Sequence, residues 1–496
     1  MSPTISQIGL ENFKSFRDYT TIDFSNLTIV SGLNSSGKSS IYQVLLALSQ
    51  SFGNYLSLKG EDGVFWKIPY LKANGELIEL GVLSELLNDN NEDITIELFW
   101  DDDVTTRISY RLMKYKKYEK KKSLWLSGSH YEEPSGALCG TYNENGKWDV
   151  YGRGAISFAN IEVATMLNKH ITTAINKQNN VEFESSIWPF KYDVIFKDVK
   201  SINFSGFYVD NFTIDIDSIY DCVEEDLLCF IDKEVLKKEI LSINGDSQNI
   251  DLINGLRSSS FIYNIDPSCF TYLPPFRGFP KRIYSSSDEN RLDASRFHSE
   301  SNVPYFFDFE NNSARTGSLK DAVNYWIVEH FKLADEVFLE EPIPDLVSEI
   351  FLRFKNKKVP INNVGFGTSQ IIPVIFEVLS SQDSMLTIVD EPEIHLHPSA
   401  QSKLADFFFH MSLLNRRIYV ETHSEYLIDK IIYLNLKYSE FESDIRMLWV
   451  NNDKDSASVD NIKYDELGFI INAPEGFLSE KNLLSDKISQ IRFEKI

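Results

Sequence analysis

An α/β architecture, with a mixed sheet flanked by helices, is predicted by three stretches in which an apolar strand ends in chemistry-bearing residues. Leu27 to Val30 runs into Gly32-Leu33-Asn34-Ser35-Ser36-Gly37-Lys38-Ser39-Ser40, a complete GxxxxGKS loop, and Ile41 to Leu48 reads as the helix leaving it. Met385 to Val389 ends in Asp390 and Glu391, and Arg417 to Val420 ends in Glu421-Thr422-His423-Ser424. In a parallel sheet such strand ends share one edge, where ligands gather.

The residue types at that edge suit a nucleoside triphosphate with Mg²⁺. Asn34, Ser35, Gly37 and Ser40 belong to the loop and helix start whose backbone amides cradle phosphates, and Lys38 reaches the β/γ-phosphates. The Ser39 hydroxyl is placed for Mg²⁺. Burying adjacent acids at a strand end is costly unless a cation or a reacting water uses them. Asp390 therefore suits the Mg²⁺ shell and Glu391 the base for the attacking water, while His423 is placed to sense the γ-phosphate. A second anion site is expected at Asn363-Val364-Gly365-Phe366-Gly367-Thr368-Ser369-Gln370, a glycine-spaced turn opening a helix whose apolar face is Ile371, Val374, Ile375, Val378 and Leu379.

Composition sets the limits. With 496 residues, 43% of them apolar, the chain exceeds one hydrophobic core and is expected to form two or three domains. No run of about 18 apolar residues is present to span a bilayer, and the N-terminus lacks the apolar region of a secretory signal, so a cytoplasmic protein with no membrane partner is expected. Four cysteines without a CxxC pair read as reduced and structural. A formal charge of −24 repels nucleic acid overall and confines any DNA contact to a local patch.

Along the chain, Ile5 to Phe13 and Tyr19 to Phe24 alternate like paired strands, and the turn between them offers Lys14 and Arg17 as nucleotide contacts or as an exposed basic turn. A strand is expected at Leu77 to Leu80, and Ile94 to Trp100 with Val104 to Leu112 reads as a hairpin across Asp101-Asp102-Asp103. From Met113 to Ser268 the pattern loosens into what reads as an inserted α+β domain. It opens with a basic, tyrosine-interleaved run, Lys114 to Lys122, which suits a phosphate backbone, an acidic protein surface or a solvated face. Cys269 to Leu273 reads as a strand, and Arg277 in the loop after it as a phosphate contact or, in preference, a structural loop arginine. Ala322 to Phe331 and Leu346 to Phe354 read as helices. His395 and His397 have metal-like spacing but no third ligand nearby, which favours packing or interface roles.

The set LENFKSF, GLNSSGKSS, NNVGFGTSQ, IVDEPEIHLHP and ETHSEYL resembles the ABC-type ATPase heads of the SMC/RecF/OLD class. More narrowly it is similar to bacterial AAA-15-like ATPases, including the ATPase halves of two-gene phage-defence systems of the PARIS and Septu type. The resemblance covers roughly residues 1 to 112 and 269 to 480, and Asn472-Ala473-Pro474-Glu475-Gly476-Phe477 is similar to the tail of those proteins, with Ala473 where tryptophan is usual. It implies a head split into lobes 1–112 and 269–496 around an inserted recognition domain, 113–268. It also implies that Lys38 and Ser39 are the Walker A pair, Asp390 and Glu391 the Walker B pair, and His423 the switch histidine. The turn holding Gly367 and Ser369 becomes a signature-like motif completing the site of a second protomer. One departure is that no glutamine occurs between Ser51 and Trp100, where such heads carry one.

Three functions compete on these grounds. The first is a slow, oligomerising ATPase switch in antiviral defence, a homodimer or larger, answering to a phage protein or DNA and controlling a separate effector such as a nuclease. The second is a RecF- or SMC-like ATPase in DNA repair, against which the charge argues. The third is a self-contained nuclease of the OLD type, for which the stretch after His423 provides no histidine.

Overall fold

The computed structural model describes residues 4–472 apart from 60–64, 90–92, 102–103, 115–121, 134–135, 143–146, 154–155, 159–192, 197–198, 206–207, 216–237, 239–240, 244–248, 255–268, 276, 278–283, 286–301, 344–346, 383–384, 442–443, 454–455 and 466–469. Tyr115 to Lys121 of the basic run, the acidic patch around Glu224 and the tail from Ala473 to Phe477 lie outside the described residues. The chain folds as two compact units, one of Met1–Thr21 with Gln43–Pro267, the other of Ile22–Tyr42 with Ser268–Ile496.

The first unit is built on antiparallel strands. Ile5–Glu11 pairs with Ile94–Trp100, and the sheet continues through Thr105–Lys114, Lys122–Glu133, Gly136–Tyr142, Trp148–Arg153 and Asp193–Phe196. The expected hairpin across Asp101 is present. Met113 falls inside the strand Thr105–Lys114, which pairs on both sides, so the sheet runs unbroken through that position. A second antiparallel sheet orders Ile156–Phe158, Asn249–Asn254, Tyr208–Asp215 and Ser201–Ser205. Leu77 to Leu80, expected as a strand, is a loop instead. Its backbone is held by a side chain in place of a ladder: Gln50 Nε2 donates to Lys72 O (2.6 Å) and Ile78 O (3.2 Å), and Ile78 N donates to Gln50 Oε1 (3.1 Å).

The second unit carries the three predicted strand ends. The strands and helices of it that the site and its core use are, in chain order, β1 (Leu27–Gly32), α1 (Lys38–Ser51, which runs on into the first unit), β2 (Phe270–Leu273), α2 (Leu319–Asn324), β3 (Glu336–Ile343), β4 (Val347–Phe354), β5 (Lys357–Pro360), α3 (Phe366–Ser380), β6 (Leu386–Asp390), α4 (Pro398–Leu413), β7 (Arg417–Glu421), α5 (Glu425–Lys437), β8 (Ile445–Asp453) and β9 (Ser456–Asn461). The main sheet has the order β2-β6-β7-β1-β8-β9, parallel except for the antiparallel edge strand β9, which is the mixed sheet expected. Strands β1, β6 and β7 are buried at every position, as their unbroken apolar runs require of a sheet covered on both faces.

Helices α3 and α4 supply much of the cover. Ile371, Val374, Ile375, Val378 and Leu379 on α3 and Leu404, Phe407, Phe408 and Met411 on α4 are all buried in one core with Ile29, Val389 and Val420. The expected helix at Leu346 to Phe354 is strand β4, flanked antiparallel by β3 and β5. The stretch holds only eight residues rich in Val, Ile and Phe, and Lys355, at φ 54°, turns the chain back into β5, so cross-strand pairing prevails over helical spacing. The helix expected over Ala322 to Phe331 starts earlier, as α2, and widens to π geometry over Tyr325–His330.

Candidate nucleotide site

The loop between β1 and α1 is shaped by close approach to β8. A Cβ added at Gly32 would lie 2.4 Å from Val450 O, so only glycine fits where the strand gives way to the loop. Asn34 and Ser35 form the exposed crest, Ser35 with φ 61°, while Gly37 and Ser40 lie lower, Ser40 N donating to Gly37 O (3.0 Å). Lys38 is 5% exposed and folded back on its own loop, its ammonium donating to Leu33 O (2.8 Å) and Gly32 O (3.2 Å). Burial lowers its pKa, against the opposing pull of Glu421, Glu391 and Asp390. Those carbonyls are the contacts a phosphate would replace.

Asp390 stands at the end of β6, 4% exposed, and takes a hydrogen bond from Tyr42 Oη on α1 at 2.5 Å. Tyr272 at the end of β2 lies 3.5 Å from the same oxygen and 3.3 Å from Tyr42 Oη. Burial raises the Asp390 pKa to about 6 and the nearby Glu391 adds to it, with the tyrosine bonds opposing. Ser39 Oγ donates to Glu421 Oε1 (3.0 Å) at the end of β7, and burial with the Asp390 charge pushes the Glu421 pKa upward.

Glu391 leaves β6 with a left-handed backbone, φ 42°, and its amide donates to Glu421 O (2.8 Å). A non-glycine residue held in that region is strained, and here the strain turns the carboxylate toward His423 Nε2, 3.5 Å away. The His423 amide is fixed by Glu393 Oε1 (2.6 Å). Burial and the Lys38 charge lower the His423 pKa, which keeps the ring neutral at pH 7. Lys38, Ser39, Asp390, Glu391 and His423 are thus brought to one sheet edge.

The other predicted residues are placed differently. Lys14 belongs to the first unit, where its ammonium is bonded to Gln43 Oε1 and lies over the Phe13 ring. At the head of α3 it is Gly365 that is exposed, with nothing within 4 Å of an added Cβ. Gly367 packs on the loop after β6, where a Cβ would meet His395 O at 2.9 Å, and Ser369 is buried with its hydroxyl donated to Phe366 O (2.7 Å). His395 packs edge-on against Phe366, and His397 Nδ1 accepts from Ser399 N (3.2 Å) to cap α4, which accounts for their spacing without a metal.

Sequence reasoning assigned no role to Tyr42, Tyr272 or Glu421, and left Arg277 a loop arginine. The signal for Tyr42 was its position one helical turn after Lys38, facing the strand ends. For Glu421 it was its place beside Asp390 in the register of β6 and β7. Arg277 is structural: it donates to Gln370 Oε1 (3.2 Å) on α3 and reaches Pro392 O (3.4 Å) and Asp390 O (3.5 Å), tying α3 to the turn after β6. Burial lowers its pKa to about 10, leaving it charged at pH 7.

A phosphate loop at the mouth of a parallel sheet, with two carboxylates and a neutral histidine converging on it, defines a P-loop nucleotidase site. The chain belongs to the AAA_15 family of AAA ATPase domains, which matches residues 4–428. Solved structures similar to it include an SMC head bound to the C-winged helix domain of ScpA, with 11% identity, TM-score 0.40, and coverage of 94% of this chain and 100% of that one. An SMC head with an extended coiled coil bound to the C-terminal domain of ScpA, derived from Pyrococcus furiosus, gives 13%, 0.38, 98% and 100%, and the SMC head domain from Thermotoga maritima 10%, 0.34, 93% and 100%. A search of curated proteins finds none that matches. Among the described residues no helix is long and apolar enough to cross a membrane.

The residues fit ATP with Mg²⁺. Ser36 Oγ and Glu421 Oε2 are buried polar atoms without a hydrogen-bond partner, at the loop and at the strand edge respectively. The loop amides and Lys38 would hold the phosphates, and Ser39 and Asp390 the cation, which neutralises charge on the transferred phosphoryl group. Glu391 is turned outward, its carboxylate 3.5 Å from His423 Nε2.

Proposed function

We propose that the chain is a slow ATP-hydrolysing switch whose site is completed by a second copy. Glu391 takes the proton of the attacking water, and His423 reports the γ-phosphate. The observation that carries this reading is the exposed rim of the second unit: Leu33, an apolar residue 57% exposed, lies with Asn34 and Ser35 on the loop crest, and Gly365 and His423 are also open to solvent. A rim of that kind supports closure by the exposed head of α3 from a partner, with Gly367 and Ser369 shaping that head from within. Nucleotide would then favour the dimer by its differential affinity for it.

Mixing two disabled chains tests the geometry. Lys38→Ala removes the phosphate grip, and Gly365→Glu places a carboxylate where the partner's γ-phosphate would sit, at a helix start that tolerates it. One intact composite site forms per heterodimer, so the mixture should recover up to about half of the wild-type rate per heterodimer by the counting of shared sites. Phosphate release no higher than in either parent, with heterodimers shown by native mass spectrometry, rules the shared site out.

The wider role we propose is antiviral defence, in which the switch controls a separate effector, such as a nuclease, and answers to a phage protein or DNA. The motif set supports this through its similarity to the ATPase halves of two-gene defence systems. The Lys114 to Lys122 run would be the docking point, since Lys114 and Lys122 end the paired strands that bracket it. Purification from phage-infected cells with no effector attached, together with unchanged phage plating, would exclude the defence role.

A further inference from the structure

Strands β6 and β7 are parallel and in register, with Asp390 opposite Glu421, so both side chains leave the same face of the sheet at its carboxyl edge. Glu421 is 3% exposed. Its Oε1 accepts the Ser39 hydroxyl at 3.0 Å, and its Oε2 is buried with no hydrogen-bond partner. A carboxylate oxygen without a donor is costly in a protein interior, and two carboxylates on neighbouring strands repel each other as well. The Lys38 ammonium offsets these charges only in part, since its hydrogen bonds go to Gly32 O and Leu33 O.

What answers both costs is a divalent cation. The Ser39 hydroxyl donates its proton to Glu421, which leaves its oxygen lone pairs free to face a metal. We infer that Glu421 is a third protein ligand, through Oε2, of the cation that Ser39 and Asp390 hold with the nucleotide. The inference rests on the ATP reading of this site. Among the described residues no group of three acidic, histidine or cysteine side chains could hold a metal alone. Two carboxylates and a hydroxyl therefore make a site that phosphate oxygens complete, the usual manner of Mg²⁺. A role as general base suits Glu421 less than Glu391: it is sealed beside Ser39, whereas the Glu391 side chain is 30% exposed and faces His423.

The test is binding of a fluorescent, non-hydrolysable ATP analogue to the full chain in Mg²⁺ and in EDTA. In the wild type Mg²⁺ tightens binding. In Glu421→Gln that gain shrinks at least about tenfold, and the Mg²⁺ concentration for half-maximal tightening rises by a similar factor. Glutamine keeps an acceptor for Ser39 and removes a buried charge, so the fold is expected to survive. Should it not, Glu421→Asp carries the test: withdrawing the carboxylate by one methylene raises the requirement for Mg²⁺ more than that for the larger Ca²⁺. A Mg²⁺ requirement equal to the wild type in a folded variant overturns the inference. A wild-type chain that binds no analogue in either condition overturns the ATP reading itself.

Discussion

Glu391→Gln is expected to slow phosphate release by at least about 100-fold while the chain still binds ATP within a few-fold of the wild-type affinity. General-base catalysis contributes roughly 10² to 10⁴ in rate, and the amide cannot accept the proton that leaves water. Affinity survives because the phosphate grip is elsewhere: the loop and Lys38 lie on β1 and α1, whereas Glu391 leaves the end of β6. The strained backbone at φ 42° is a property of the turn, fixed by the Glu391 amide bonded to Glu421 O, and glutamine inherits it. Phosphate release and fluorescent nucleotide binding measured on the same preparation decide the matter. Unaltered turnover would remove Glu391 from the mechanism and leave the water to another group. A variant that both fails to hydrolyse and fails to bind would mean that the carboxylate supports the loop instead.

The legible parts of this site were those in which a strand, a turn and a helix follow one another in the sequence. Lys38 and Ser39 come from a loop whose glycine spacing is dictated by backbone approach, and Gly32 shows that constraint directly in its contact with Val450 O. Asp390, Glu391 and His423 were legible because apolar runs end abruptly in ionisable groups. What sequence could not give was register. Tyr42 meets Asp390 across 348 positions and Ser39 meets Glu421 across 382, and neither pairing has a local pattern. The turn before α3 was legible only as a glycine-rich helix start with free amides, and which of its residues faces solvent was not: Gly367 packs against His395 O, Gly365 is exposed and Ser369 is inside. In the fold, β4 was misread because eight residues are too few for periodicity to separate a helix from a strand.

Lys38→Ala should fail in the opposite way from Glu391→Gln, losing the nucleotide itself. The ammonium is 5% exposed and its two present partners are carbonyls of its own loop, neutral acceptors that a triphosphate outbids electrostatically. A hydrogen bond to a charged partner contributes about 1.5–3 kcal/mol, so alanine should weaken ATP binding by roughly one to two orders of magnitude. Adenosine, which carries no phosphate, should bind the variant and the wild type alike. Lys38 also sits among Asp390, Glu391 and Glu421, whose charges it partly offsets. Alanine therefore removes a cation that the three carboxylates share, and the variant should depend on Mg²⁺ more steeply than the wild type. Fluorescent nucleotide titration across a Mg²⁺ series measures both effects. Equal ATP affinity in the two proteins would show that the loop amides alone hold the phosphates and that Lys38 is a structural lysine closing its own loop.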